Sequence, residues 1–382
     1  MKKKLYLMLM LFLMIFMMSG CDGIAKSESN NIGAPAKETT VDPVEKILKE
    51  MRIEDKIGQM TMIGVYGYEM NNDIKYSLNE YNFGGVILFA RNVESKAQLE
   101  TFVSQLQNEA NYKVPLFIAI DEEGGEVSRL RQIEKDIAPS QQAIGDTGDI
   151  SLARDWALKT AKKLKSLGIN VNFAPVADVG SPDTRSFSNN AEIVAEFVDS
   201  EAKGYEEEKV IYCLKHFPGI GKRITDPHQE ISSIDVSRET LEKEDLFPFK
   251  SIISNHPSDK FMIMVSHLKY PAIDEKNSAT LSYKVMTELL REKLGYDGII
   301  ITDDLEMGAI ANHNSFSEVG VKAVKAGADI LLICHDYQHE QDVYNGVLKA
   351  VQNGEISEER INESVRRILK TKFDISSYSN NS

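Results

Sequence analysis

The chain has 382 residues, with 44 Lys and Arg against 58 Asp and Glu, and a formal charge of −14. An acidic balance of that size argues against nucleic-acid binding and against polybasic docking on anionic lipid. The length suits one large α/β barrel or two ordinary domains, and the three cysteines show no Cys-x-x-Cys or other clustered spacing for zinc.

The amino terminus reads Met1-Lys2-Lys3-Lys4, followed by an unbroken apolar run from Leu5 to Met18. The run is short for a bilayer span, and the basic residues ahead of it give the layout of a secretion signal. It ends at Met18-Ser19-Gly20-Cys21, which resembles the lipobox of bacterial lipoproteins, with Met18 where Leu is usual. Residues 1–20 are therefore expected to be a lipoprotein signal peptide and Cys21 the acylated residue. An ordinary cleaved signal with an incidental cysteine is the alternative. On an acidic protein, membrane attachment is expected through lipid on Cys21 only. Residues 21–42 are rich in Ser, Asn, Thr, Gly and charge and predict a flexible tether.

From residue 43 to 374 short apolar runs alternate with longer amphipathic ones. The apolar runs are Gln59–Val65, Gly85–Ala90, Pro115–Asp121, Val171–Val179, Val210–His216, Phe261–His267, Gly298–Asp303 and Asp329–Cys334. Between them the periodicity predicts helices over Ala97–Ala110, Leu152–Leu167, Ala191–Glu207, Arg238–Ser254 and Val285–Leu294. A closing helix is expected near Ser357–Lys372, with Ser357 as its cap, before a disordered tail over 375–382. Continuous Val, Ile and Leu runs suit parallel strands covered on both faces. Eight of them alternating with helices predict a single (β/α)8 barrel. A doubly wound open sheet is the alternative. The two differ in where Asp121, Asp178, His216, His267 and Asp303 fall, because a barrel gathers strand C-termini at one mouth. Cys213 and Cys334 sit inside apolar runs and read as buried, inert thiols, a disulfide between them being the alternative.

The candidate chemistry lies at strand ends. Asp303 follows Gly298-Ile299-Ile300-Ile301-Thr302 and is expected to face the mouth; capping the next helix is its alternative role, which suits Asp304 better. Asp226 and His228 flank Pro227. In the extended backbone that a following proline favours, residues i and i+2 project to one side, so the carboxylate can fix the imidazole's tautomer. A solvated loop histidine is the competing reading. Lys215 and His216 precede the Gly219-Ile220-Gly221 turn, and with Asp121, Arg129 and Arg185 they could converge on a small polar ligand or form a structural ion-pair network. Gly124-Gly125 predicts a tight turn without the Lys-Ser/Thr of a phosphate loop. Ser266-His267 is expected to line the mouth, although adjacent strand residues point to opposite faces and make a poor nucleophile pair. His256, His313, His335 and His339 show no partner spacing and read as surface or core histidines.

Four motifs occur in one order: Asp121-Glu122-Glu123-Gly124-Gly125-Glu126-Val127-Ser128-Arg129; Asn172-Phe173-Ala174-Pro175-Val176-Ala177-Asp178-Val179 with Arg185-Ser186-Phe187; Lys215-His216-Phe217-Pro218-Gly219 with Asp226-Pro227-His228; and Ile301-Thr302-Asp303-Asp304-Leu305-Glu306-Met307. From about Val44 to Phe373 the chain resembles glycoside hydrolase family 3, in its branch of single-domain β-N-acetylhexosaminidases. The resemblance implies Asp303 as nucleophile and an Asp226–His228 acid/base dyad in place of a carboxylic acid. It also implies Asp121, Arg129, Arg185, Lys215 and His216 as ligands of sugar hydroxyls. Ile220 stands where many relatives carry His, which bears on the loop geometry. The expected activity is that of a retaining exo-β-N-acetylglucosaminidase removing terminal β-linked GlcNAc from peptidoglycan fragments, with no metal or organic cofactor. The expected location is the outer face of a bacterial membrane, through the lipid anchor. A phosphorylase, a β-glucosidase of the same family and a catalytically silent sugar-binding lipoprotein are the alternatives.

Overall fold

The computed structural model describes residues 42–221, 232–307, 310 and 315–376. Each apolar run supplies one strand: β1 (Thr61–Gly64), β2 (Gly85–Leu88), β3 (Phe117–Ile120), β4 (Val171–Asn172), β5 (Ile211–Phe217), β6 (Phe261–Val265), β7 (Ile299–Asp304) and β8 (Ile330–Ile333). Every strand pairs in parallel with its sequence neighbour, and β8 returns to β1 with Thr61 opposite Leu331. The sheet therefore has no edge, which excludes the open alternative. Both faces of the strands are buried, the inner by barrel side chains and the outer by helices, so alternation is absent from the sequence.

The departures from expectation have local causes. Pro175 has no N–H, so β4 pairs regularly only over Val171–Asn172. The chain still runs beside β5, with Cys213 N donating to Ala174 O at 2.9 Å and Ala177 N to Lys215 O at 2.8 Å. The helix expected over Arg238–Ser254 is two, Arg238–Lys243 and Phe247–Asn255, because Pro248 cannot donate within a continuous helix. Lys284–Lys293 is wound wider than an α-helix, and Leu294 N donates five residues back to Leu289 O. Gln59 ends the helix Ile53–Gln59 instead of opening β1.

Helix Ser151–Ser166 packs against Ala191–Glu208 where Gly204 lets the backbones close in; a Cβ there would lie 2.6 Å from Arg154 O. The closing helix, Glu358–Ser376, takes in the first two residues of the expected tail. Its Lys372 passes under the N-terminal ends of the strands and donates to Gln59 Oε1 at 2.8 Å and Gly84 O at 2.6 Å. Burial pushes that ammonium down to about 7. Among the described residues no helix is long and apolar enough to cross a membrane.

Candidate active site

A cavity of about 290 Å³ opens among the C-terminal ends of the strands. Asp121, Arg129, Arg185, Lys215, His216 and Asp303, all expected from sequence, line it together. Asp226 and His228 lie outside the described residues, as do Cys21 and His313.

The inner wall is a ladder of ion pairs. Asp121 follows β3 and accepts from Lys215 Nζ at 2.8 Å and from Arg129 Nη2 at 3.1 Å. Lys215, in the C-terminal half of β5, also lies 2.6 Å from Glu123 Oε1. Arg185 then grips Glu123 through Nε and Nη2 at 2.8 and 2.9 Å, the fork geometry that fixes both partners. Gly124 and Gly125 place Glu123 by a turn with φ of 91° and 54°, where a Cβ on Gly124 would lie 2.5 Å from Pro139 O.

Burial alone would raise the Asp121 carboxyl, but the Lys215 and Arg129 charges outweigh it and hold the group down at about 2. The contribution to stability is therefore complete above the ordinary aspartate pKa of ~3.9 and is lost as pH falls through about 2. Burial would lower Lys215, and Asp121 and Glu123 reverse that and raise it. The ion-pair network and the cavity wall are one object. Lys215 stays charged beside the cavity, and Arg129 Nε is buried with no protein acceptor among the described residues.

His216 is held from behind. Its Nδ1 lies 2.8 Å from Asp178 Oδ2, and Asp178 Oδ1 accepts from the backbone N–H groups of His216 (3.1 Å) and Ile220 (2.9 Å). Burial would raise the Asp178 carboxyl, but His216 and the two backbone donors outweigh it and lower it, so Asp178 accepts from Nδ1–H. That leaves Nε2 facing the cavity, 3.4 Å from Arg185 Nη2.

On the opposite wall Asp303 accepts from Asp304 N at 2.8 Å through one oxygen. Asp304 also lines the cavity, a role the sequence did not reveal. Its carboxylate accepts from Glu306 N at 3.1 Å and lies 3.2 Å from His335 Nε2. Burial raises Asp304 well above the ordinary aspartate range, and the nearby Glu306 and Asp303 charges add to this. His267 does not line the mouth as expected. It is buried beneath the loop, its Nε2 donating to Asp304 O at 2.7 Å and its Nδ1 meeting the Thr280 hydroxyl at 2.8 Å. Burial lowers its pKa, so a neutral ring steadies the Asp303–Asp304 backbone.

His335 and Glu123 are cavity residues that sequence reasoning left without a role. His335 stands two residues beyond β8, and the rule applied to Asp303, that barrel function gathers at strand C-termini, would have found it. His256 and His339, read as surface or core histidines without a partner spacing in the sequence, each meet carboxylates: Asp199 and Glu206 for the buried His256, Glu306 for His339. Cys213 and Cys334 are free and buried, and burial pushes both thiols up. Among the described residues no group of three His, Cys, Asp or Glu side chains is placed to hold a metal ion.

Comparison with known proteins agrees with this architecture. The family described as Glycosyl hydrolase family 3 N terminal domain matches residues 52–371. A β-hexosaminidase A of Pseudoalteromonas piscicida is 37% identical over 334 residues, covering 79% of this chain and 55% of that protein. A β-hexosaminidase of Nitrosomonas eutropha is 35% identical, covering 72% of this chain and 80% of that protein. A glycoside hydrolase family 3 β-N-acetylglucosaminidase from Paenibacillus sp. superposes with a TM-score of 0.81 at 37% identity, covering 85% of this chain and 63% of that one. LpqI of M. tuberculosis superposes with a TM-score of 0.78 at 28% identity, covering 86% and 96%. The chain thus spans little more than half the length of the Pseudoalteromonas protein.

Proposed function

The chain belongs to glycosyl hydrolase family 3, and from that membership we propose that it is a retaining exo-β-N-acetylglucosaminidase. The observation that carries the reading is the cavity itself, with Asp303 on one wall and the Asp121–Lys215–Glu123–Arg185 ladder on the other. Charged groups already locked by one another can bind sugar hydroxyls without reorganising, which favours a small polar ring over an apolar ligand. The relatives named β-hexosaminidase and the Paenibacillus β-N-acetylglucosaminidase support GlcNAc as that ring.

In the proposed mechanism a terminal β-linked GlcNAc enters with its hydroxyls on Asp121, Arg129, Arg185, Lys215 and His216. Asp303 attacks the anomeric carbon as the glycosidic C–O bond breaks, and His228 gives its proton to the departing oxygen. Asp226 holds the imidazole and stabilises its charged form. His228 then takes a proton from water, which opens the glycosyl ester and restores Asp303 with net retention. No residue in this sequence of steps calls for a metal or organic cofactor.

The test is release of nitrophenol from a β-linked N-acetylglucosaminide by the purified protein, with the first-formed sugar anomer read by NMR. No release would sink the reading, and a first-formed α anomer would contradict retention. A rate proportional to added phosphate would make the reaction phosphorolysis.

Two further outcomes are expected. Asp178→Asn removes the acceptor that fixes His216 and should lower kcat/KM by roughly 10–100-fold, the value of one or two hydrogen bonds to a charged group. Unchanged kinetics would show that the His216 orientation is unimportant. For the amino terminus, we propose acylation of Cys21 and an outer membrane-surface location, with peptidoglycan fragments as substrate. Cys21→Ala should move the protein from the detergent phase to the aqueous phase, and a mature terminus found elsewhere by mass spectrometry would rule this out.

A further inference from the structure

We propose that the rim built on Phe89, Arg91 and Tyr66 is a stacking shelf for the sugar ring on the leaving-group side of the scissile bond. The shelf is continuous with the cavity, since Phe89 and His335 line the same space as Asp303. The Arg91 guanidinium carbon lies 4.3 Å from the Phe89 ring centre and 4.6 Å from that of Tyr66, so it bridges the two rings. The His335 ring sits 5.6 Å from Phe89.

Tyr66 is 46% exposed and nevertheless fixed. Its hydroxyl donates to His335 O at 2.7 Å, its backbone N–H reaches Tyr337 Oη at 3.4 Å, and its ring meets Tyr337 edge-on at 6.1 Å. The loop carrying it is tied down by Asn92 Nδ2, which donates to Val65 O at 3.0 Å and Gly67 O at 2.9 Å. Arg91 adds Nε to Val65 O at 3.1 Å and Nη2 to Cys334 O at 2.6 Å. An aromatic ring held in one place while half open to water loses rotamer freedom without the full return of burial. Such preorganised tyrosines are efficient contact surfaces for a ligand.

The chemistry fits a pyranose with equatorial substituents. Its two faces present axial C–H groups, which suit an aromatic ring or a guanidinium plane, and its edge presents hydroxyls. Among the described residues, Arg91 N–H groups not used by Val65, Cys334 and His335 have no protein acceptor and can meet those hydroxyls. An exo-acting cavity that holds one ring must let the next ring leave across its rim. The inference rests on the proposed reading of the cavity as a GlcNAc site.

Calorimetric titration of the Asp303→Asn protein with GlcNAc and with its β-1,4-linked disaccharide tests it. The disaccharide should bind about tenfold more tightly than the monosaccharide. Adding Tyr66→Ala should cut that ratio by roughly 3–10-fold, the range of one aromatic contact. Adding Tyr66→Phe keeps the ring, drops the His335 anchor and should retain most of the ratio. A ratio untouched by Tyr66→Ala, with GlcNAc still binding, overturns the shelf and leaves the cavity reading intact. Equal losses from Tyr66→Ala and Tyr66→Phe also overturn it, because the hydroxyl anchor alone would then matter. Failure to bind GlcNAc at all overturns the cavity reading and the shelf with it.

Discussion

Asp303→Ala is expected to cut turnover by roughly 10⁴–10⁶-fold, the range seen when a nucleophile that forms a covalent intermediate is removed. The fold should survive, because among the described residues the side chain makes only one hydrogen bond, to Asp304 N. The choice between the two adjacent aspartates follows from their surroundings. Asp304 is committed to Glu306 N and His335, and burial raises it toward protonation, which makes a poor nucleophile. Asp303 keeps an oxygen available to the cavity. Added azide should restore part of the activity of Asp303→Ala and give a glycosyl azide of inverted configuration. An active Asp303→Ala beside an inactive Asp304→Ala would reverse the assignment.

His228→Ala should lose roughly 10²–10⁴-fold on a natural disaccharide and far less on a nitrophenyl glycoside. Nitrophenolate leaves with little help from an acid, whereas a sugar alkoxide must be protonated as the bond breaks. Asp226→Ala should show the same pattern more mildly, since it removes orientation and charge stabilisation but spares the proton carrier. The quantity to measure is the ratio of kcat/KM values for the two substrates in each variant. Equal losses on both substrates would make His228 a binding or folding residue and end the dyad mechanism. The fixed His216–Asp178 pair sharpens the test, because it is a second imidazole with a carboxylate behind it. If His216 were the acid instead, the leaving-group pattern would move to His216→Ala.

The barrel was legible because its cause is local. A strand buried on both faces must be apolar at every position, and eight such runs separated by amphipathic stretches admit few architectures. Asp121, Lys215, His216 and Asp303 were legible for a related reason, as polar residues ending apolar runs stand out in the sequence. The breaks were harder to read. Pro175 and Pro248 each withdraw one backbone donor, and whether that ends an element depends on what the chain can pair with next.

What the sequence by itself determined is the strand count, the site's position at the strand ends and the residue types available there. What only the tertiary structure decided is who meets whom. Glu123 and Lys215 are far apart in the chain and 2.6 Å apart in space, and neither carries a periodic signal for the other. Asp178 became the holder of His216, and His267 turned beneath Asp304 instead of into the cavity, because the register of neighbouring strands sets which strand-end side chains face one another. The Tyr66–Arg91–Phe89 rim likewise arises because β1 and β2 lie side by side and bring the loops after them together, while closure of β8 onto β1 adds His335. Pairwise geometry of this kind is a property of the closed barrel, and no spacing along the chain encodes it.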